Sequence, residues 1–170
     1  MNRAGDPSPQ VRVAVAEAIG RINDPSKSSV LLPMLADVDP EVRRSAATAL
    51  GMLRAEFAQG ALRDALIVPG QPMLVRRAVA AAIAAAPASD QQVQLIAALR
   101  DTDEQVRAYA ADALGQVGDS EALQALEALS ADETVILGGT VATRARAAMK
   151  SIERRGRKAT SAAPAGIETK

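Results

Sequence analysis

Apolar positions along the chain recur with the period of an α-helix, and the helices they predict recur in turn. Val106, Ala110, Ala113, Leu114 and Val117 fall at i, i+4, i+7, i+8 and i+11, which is one helical face. Asp103 precedes that face as an N-cap, and Glu104 follows it in the positively polarised first turn. Gly115 and Gly118 are placed to end the helix. The stretch is rich in alanine, the strongest helix former and small enough to let a neighbouring helix approach closely.

Four more copies align on Val11, Val42, Val75 and Val141, so that successive valines stand 31, 33, 31 and 35 residues apart. Eight residues after them come Ile19, Leu50, Ile83, Leu114 and Met149; seven after come Ala18, Ala49, Ala82, Ala113 and Ala148. Shorter apolar-periodic segments lie between, at residues 30–35, 57–66, 93–99 and 123–129. Calling the short segments A and the long ones B, the chain reads B-A-B-A-B-A-B-A-B, about four and a half repeats. Pro33 falls inside the first A segment and predicts a kink or a late start there. Self-similarity at this period marks a solenoid, in which each unit buries its apolar face only against its neighbours.

The polar positions repeat as well. One residue after the valine stand Arg12, Arg43, Arg76 and Arg107, with Ala142 breaking the row. Five before it stand Asp6, Asp37 and Asp101, with Gly70 as the exception. The pattern D-x5-R with V-R-x-x-A-A-x-A-L-G, complete in residues 37–51 and 101–115, resembles HEAT-repeat proteins. The short period is similar to that of phycobilisome-lyase-like HEAT domains, and the likeness covers roughly residues 6–155. Ankyrin and tetratricopeptide repeats have neighbouring periods, but T-P-L-H and W-x-x-L-G are missing. The resemblance implies an all-α, right-handed α-solenoid over residues 1–155, followed by a flexible tail of basic and small residues at 156–170. It also implies a structural ladder, in which each arginine pairs with aspartates of its own and adjacent repeats and fixes their stacking. With Gly70 in place of an aspartate, Arg76 is expected to borrow Asp37 or Asp101, and to matter less for stability than Arg43 or Arg107.

Composition narrows the function. Of 170 residues, 48% are hydrophobic but only 1% aromatic, enough for one domain with an aliphatic core. There is no histidine and no cysteine, which removes the usual general base, the common zinc ligands and the thiol nucleophile. The expectation is a non-catalytic protein without metal or cofactor. No secretory signal and no membrane-length apolar run are present, so the expected location is cytoplasmic.

Zero formal net charge conceals an asymmetry. Arg144, Arg146, Lys150, Arg154, Arg155, Arg157 and Lys158 form a basic end, while residues 1–143 carry a net charge of −6. Such an end suits an anionic membrane, an acidic protein patch or nucleic acid, or complements the last helix's C-terminal dipole. No aromatics interleave the basic residues, which weighs against nucleic acid. The capping role is the favoured one.

The remaining expectation is protein binding. Arg44 and Arg77 occupy equivalent outward positions in consecutive B helices, with Tyr109 beside that row and Thr48 and Asp112 in the next. Together they predict a ridge on the concave face that takes another protein, since Tyr and Arg are enriched at interface hot spots. On this reading Arg77→Glu abolishes binding and leaves thermal stability unchanged. The alternative implied by the resemblance is bilin-lyase-like handling of a chromophore. The first B helix, finally, would be covered on one side only at Val11, Val15, Ile19 and Ile22, which predicts self-association weakened by Val15→Lys.

Overall fold

The computed structural model describes residues 3–161. Five long helices carry the five predicted copies: α1 (Pro9–Ile22), α2 (Pro40–Met52), α4 (Met73–Ala85), α6 (Glu104–Val117) and α8 (Val141–Ser161). Three short helices, α3 (Gln59–Leu66), α5 (Gln92–Ala98) and α7 (Ser120–Glu127), lie between them. Each long helix packs on the next long one, and α3, α5 and α7 pack on α4, α6 and α8. This is an all-α solenoid with the predicted alternation.

The sequence period becomes a continuous core. Val42, Val75, Val106 and Val141 are buried, as are Leu50, Ile83 and Leu114 eight residues after the first three. The short segments contribute Leu31, Leu62, Leu95 and Leu126, spaced like the valines and all buried. At the first long helix Val11 and Val15 are half-buried and Ile22 is 66% exposed. A 3₁₀ turn at Arg3–Gly5 packs against that helix.

Three local expectations are corrected. The first A segment forms no α-helix but two 3₁₀ turns, Pro25–Val30 and Pro33–Ala36. Pro25 and Pro33 lack the N–H that an α-helical ladder needs, and tight turns still bury Leu31, Met34 and Leu35. At the other end α8 continues through Ser161, past the expected boundary at residue 155; residues 162–170 lie outside the described residues.

The third correction concerns Gly115. It sits inside α6 and does not end it; Gly118 is the C-cap. A Cβ at Gly115 would lie 2.9 Å from the Cα of Ala148 in α8. Gly51 stands in the same relation to Ala82, at 2.9 Å, and Gly20 to Ala49, at 3.2 Å. These glycines occupy one repeat position and let successive long helices meet backbone against backbone. Ala84 takes that position in α4, and α4–α6 is the loosest of the four junctions.

Between α7 and α8 the last repeat carries an insertion. Val135–Ile136 (β1) and Gly139–Thr140 (β2) pair antiparallel, joined at Leu137 and Gly138. Gly138 and Gly139 have φ of 87° and 141°, which only glycine adopts without strain. Ile136 is buried, whereas Val135 is 79% and Leu137 88% exposed.

Candidate functional site

Each ladder aspartate first folds its own loop. One carboxylate oxygen of Asp6, Asp37, Asp101 and Asp132 accepts the backbone N–H two residues on, from Ser8, Asp39, Asp103 and Thr134. Asp39 and Asp103 then cap α2 and α6, each accepting two N–H groups of the first turn. At Asp37, Asp101 and Asp132 the loop thereby turns the carboxylate towards the preceding repeat.

Arginine joins one loop to the next. Arg12 Nε and Nη2 each donate to Asp37 at 2.7 Å, and Arg76 grips Asp101 with the same two atoms at 2.9 Å. Arg107 reaches Asp132 with Nε at 3.0 Å and Nη2 at 2.9 Å. The third donor, Nη1, turns back to the carbonyl of its own repeat's loop: Asp6 O, Gln71 O and Asp101 O respectively. Each arginine thus takes a carboxylate from the following repeat and a carbonyl from its own. Asp132 was invisible to the valine alignment because the hairpin pushes it four residues upstream; its D-x-T loop motif was the available signal. Ala142 replaces the last arginine, and its N–H bonds Asp132 O instead.

In repeat three Arg76 takes Asp101, one of the two carboxylates expected for it, but its expected rank against Arg43 is reversed. Arg76 has a full aspartate rung, and Arg43 lacks one: its Nε donates to the neutral Gln71 Oε1 at 2.9 Å. Its Nη1 takes Asp37 O and Val38 O, and Nη2 has no hydrogen-bond partner among the described residues. The missing carboxylate of repeat three is felt one repeat earlier than expected, because each rung points forward. Arg76→Ala is therefore expected to cost about 2 kcal/mol, in the range of charge-assisted bonds to a partly exposed pair, and Arg43→Ala about 1. Chemical denaturation of both variants would show it, and an equal or larger loss for Arg43→Ala would contradict the forward pairing.

The rungs and caps also set the response to acid. The guanidinium of Arg12 holds the Asp37 carboxyl below its ordinary range, and the hydroxyl of Thr134, with Arg107, does the same for Asp132. Burial pushes Asp103 up, but Arg77 and two backbone N–H bonds outweigh it and the net shift is down. Asp24 and Asp119, at their own helix starts, are also lowered. Asp112 alone of the shifted carboxyls is raised, by burial. A lowered folded value contributes stability that is complete above the unfolded Asp value of about 3.9 and disappears as the pH falls through the folded value. Asp112 acts in the opposite sense. Five against one gives a urea midpoint that falls from pH 5 towards pH 2; a midpoint that rises over that interval would contradict it.

The expected concave ridge is only partly assembled, because its arginines are occupied. Arg77 Nε lies 2.8 and 2.9 Å from the two oxygens of Asp103, whose side chain is 3% exposed, and Nη2 reaches Glu104 at 3.2 Å. Arg44 has no such option, since the N-cap of the following long helix is Pro72, so it folds back onto Glu41 at 2.8 Å. Thr48 is exposed and donates its hydroxyl to Arg44 O; Asp112 is half-buried and accepts from Arg144 Nη1 at 3.0 Å. Neither arginine is a vacant fork waiting for a partner's carboxylate.

Tyr109 keeps a place in an open surface. It lines a groove of about 360 Å³ between α4 and α6, with Arg77, Ala78, Ala81, Gln105 and Leu137. The inserted hairpin hangs Leu137 over this groove and is tied down by Arg144 Nη2 to Leu137 O at 3.4 Å. The sequence carried the signal in its longer last interval and in Gly138–Gly139 between apolar residues.

The basic end is largely engaged within the chain. Arg146 reaches Ser130 O and Glu133, and Arg157 pairs with Glu153. Arg155 donates to Gly115 O and Gly118 O, where α6 ends, so it caps α6 rather than the last helix. Lys150, Arg154 and Lys158 stay exposed. Among the described residues no group of three His, Cys, Asp or Glu side chains is placed to hold a metal, and no helix is long and apolar enough to cross a membrane.

A family model described as HEAT repeats matches residues 1–72 and 70–150. Among solved structures, the crystal structure of an engineered protein, a structural genomics target, superposes with a TM-score of 0.64 at 21% identity. The alignment covers 91% of this chain and 82% of that one, a likeness of fold. No curated protein matches.

Proposed function

Since the chain belongs to the HEAT-repeat family, whose arrays generally serve as interaction scaffolds, we propose that it is a non-catalytic module holding a protein segment in the groove between α4 and α6. The observation that carries this reading is the inserted hairpin, which keeps Leu137 in solvent beside Tyr109. An apolar side chain held in water by a dedicated loop has no stabilising role in the array, whereas it suits contact with a partner. The groove lies along the α4–α6 junction, the one in which Ala84 stands at the glycine position of the other long helices. Tyr109 and Leu137 act as anchors, while Arg77 and Gln105 form a polar rim. No observation favours bilin handling, and the engaged arginines leave the basic end as a capping feature.

Leu137→Asp and Tyr109→Ala test the proposal. The first changes an exposed side chain and is expected to shift stability by no more than about 0.5 kcal/mol. Both variants are expected to lose, in pull-downs from the native host, the same protein that wild type retains. Retention of every wild-type partner by Leu137→Asp would refute the groove.

A further inference from the structure

A second opening lies at the incomplete rung. Beneath Arg43, between the Pro33–Ala36 turn and α3, is a cavity of about 550 Å³ open to solvent. Its walls are mainly apolar, from Leu32, Leu35, Ala61, Ala65 and Val68, and its polar end is formed by Arg43 and Gln71. We propose that this cavity binds a small apolar carboxylic acid, whose carboxylate completes the rung on Arg43.

The chain itself shows what this arginine lacks. At the other three junctions Nη2 of the equivalent arginine lies 2.7 to 2.9 Å from an aspartate oxygen. At Arg43 the same atom has no partner among the described residues, and the only side chain on the guanidinium is a neutral amide. Two carboxylates line the cavity; Asp37 attracts Arg43 through space, but neither it nor Asp64 makes an ion pair or a side-chain hydrogen bond with it. Asp37 is committed to Arg12 and to the N–H of Asp39, and Asp64 lies exposed at the rim against Arg63. A half-buried cation with one open donor, set at the end of an apolar chamber, matches an amphipathic anion in charge and in shape. The volume falls within the usual range for small-molecule sites, roughly 300–1,000 Å³, and those sites share the same plan of apolar walls with few polar anchors. The site is separate from the α4–α6 groove, so either proposal can fail without the other.

Octanoate, with octanamide as its uncharged counterpart, provides the probe, and Gln71→Glu provides the variant. Glutamate at residue 71 places a carboxylate within reach of Arg43 and fills the rung from inside. In titrations followed by amide NMR, octanoate is expected to give saturable shifts at Leu35, Ala65 and Gln71. Octanamide is expected to bind at least about tenfold more weakly, as is octanoate to the Gln71→Glu protein. A circular dichroism melt confirms that the variant is folded, and Arg43→Gln is the second route to the same loss. Equal binding of the amide would reduce the site to an apolar hole, and unchanged affinity in both variants would place the anion elsewhere. Absence of saturable shifts up to about 10 mM, beyond the weakest affinity a specific site of this size would show, would also overturn the proposal.

Discussion

Arg77→Glu is expected to unfold the protein at a temperature roughly 10 °C lower, through a loss of about 3 kcal/mol in a domain of this length. Arg77 is the counter-charge of Asp103, and Asp103 is the N-cap of α6 with its side chain almost wholly enclosed. Removing the guanidinium leaves that carboxylate buried without its cation, and the new glutamate adds a like charge beside Asp103 and Glu104. The cap itself is endangered, because Asp103 Oδ1 serves Arg77 as well as the N–H groups of Gln105 and Val106. A melt measured beside Arg63→Glu, whose pairs with Asp64 and Asp90 lie at the surface, checks the claim. Equal melting of the two variants would show that Arg77 is an ordinary surface residue, as the sequence alone suggested.

Gly115→Val is expected to be at least as damaging, costing about 3 kcal/mol. A valine Cβ there would begin 2.9 Å from a backbone atom of α8, before its two methyl groups are counted. Backbone cannot swing aside as a side chain can, so α6 and α8 must separate along a junction lined by Leu114, Ala145 and Ala148. Gly60→Ala gives the opposite sign. That glycine is also helical, in α3, but its added Cβ would meet nothing closer than the tip of Arg63 at 3.9 Å. It should gain up to about 1 kcal/mol from helix propensity alone. If both substitutions stabilise, the close helix contact is not what selects glycine at residue 115.

The two substitutions mark where sequence reading reached and where it stopped. The five valines, the leucines eight residues on and the alternation of long and short segments were legible because burial repeats with the chain. Gly115 was misread because a helix-stopping glycine and a helix-contact glycine look alike until the neighbour is known. Its recurrence at Gly20 and Gly51, seated against Ala49 and Ala82, was the overlooked clue. Arg12, Asp37, Arg76, Asp101 and Arg107 pair across repeats, whereas Asp6 gives Arg12 only its backbone carbonyl. The sequence could not show this, because spacing within one repeat carries no direction. The forward step from Arg12 to Asp37 is a property of how repeats stack, and so the gap was assigned to Arg76 instead of Arg43. The pairing of the ridge arginines was hidden for a similar reason. Arg44 and Arg77 share a position, but what each can reach depends on the following N-cap, Pro72 in one case and Asp103 in the other. Leu137 was missed because it belongs to no repeat.

A photo-crosslinking amino acid at residue 137 tests the groove between α4 and α6 most directly. The same group at Phe57, which is exposed on the short-helix side, serves as the comparison. In the native host, light is expected to join one discrete protein to the chain from position 137, to fail from position 57, and to fail from 137 once Tyr109 is replaced by alanine. Adducts that form equally from both positions, or that survive Tyr109→Ala, would contradict a partner seated in the groove.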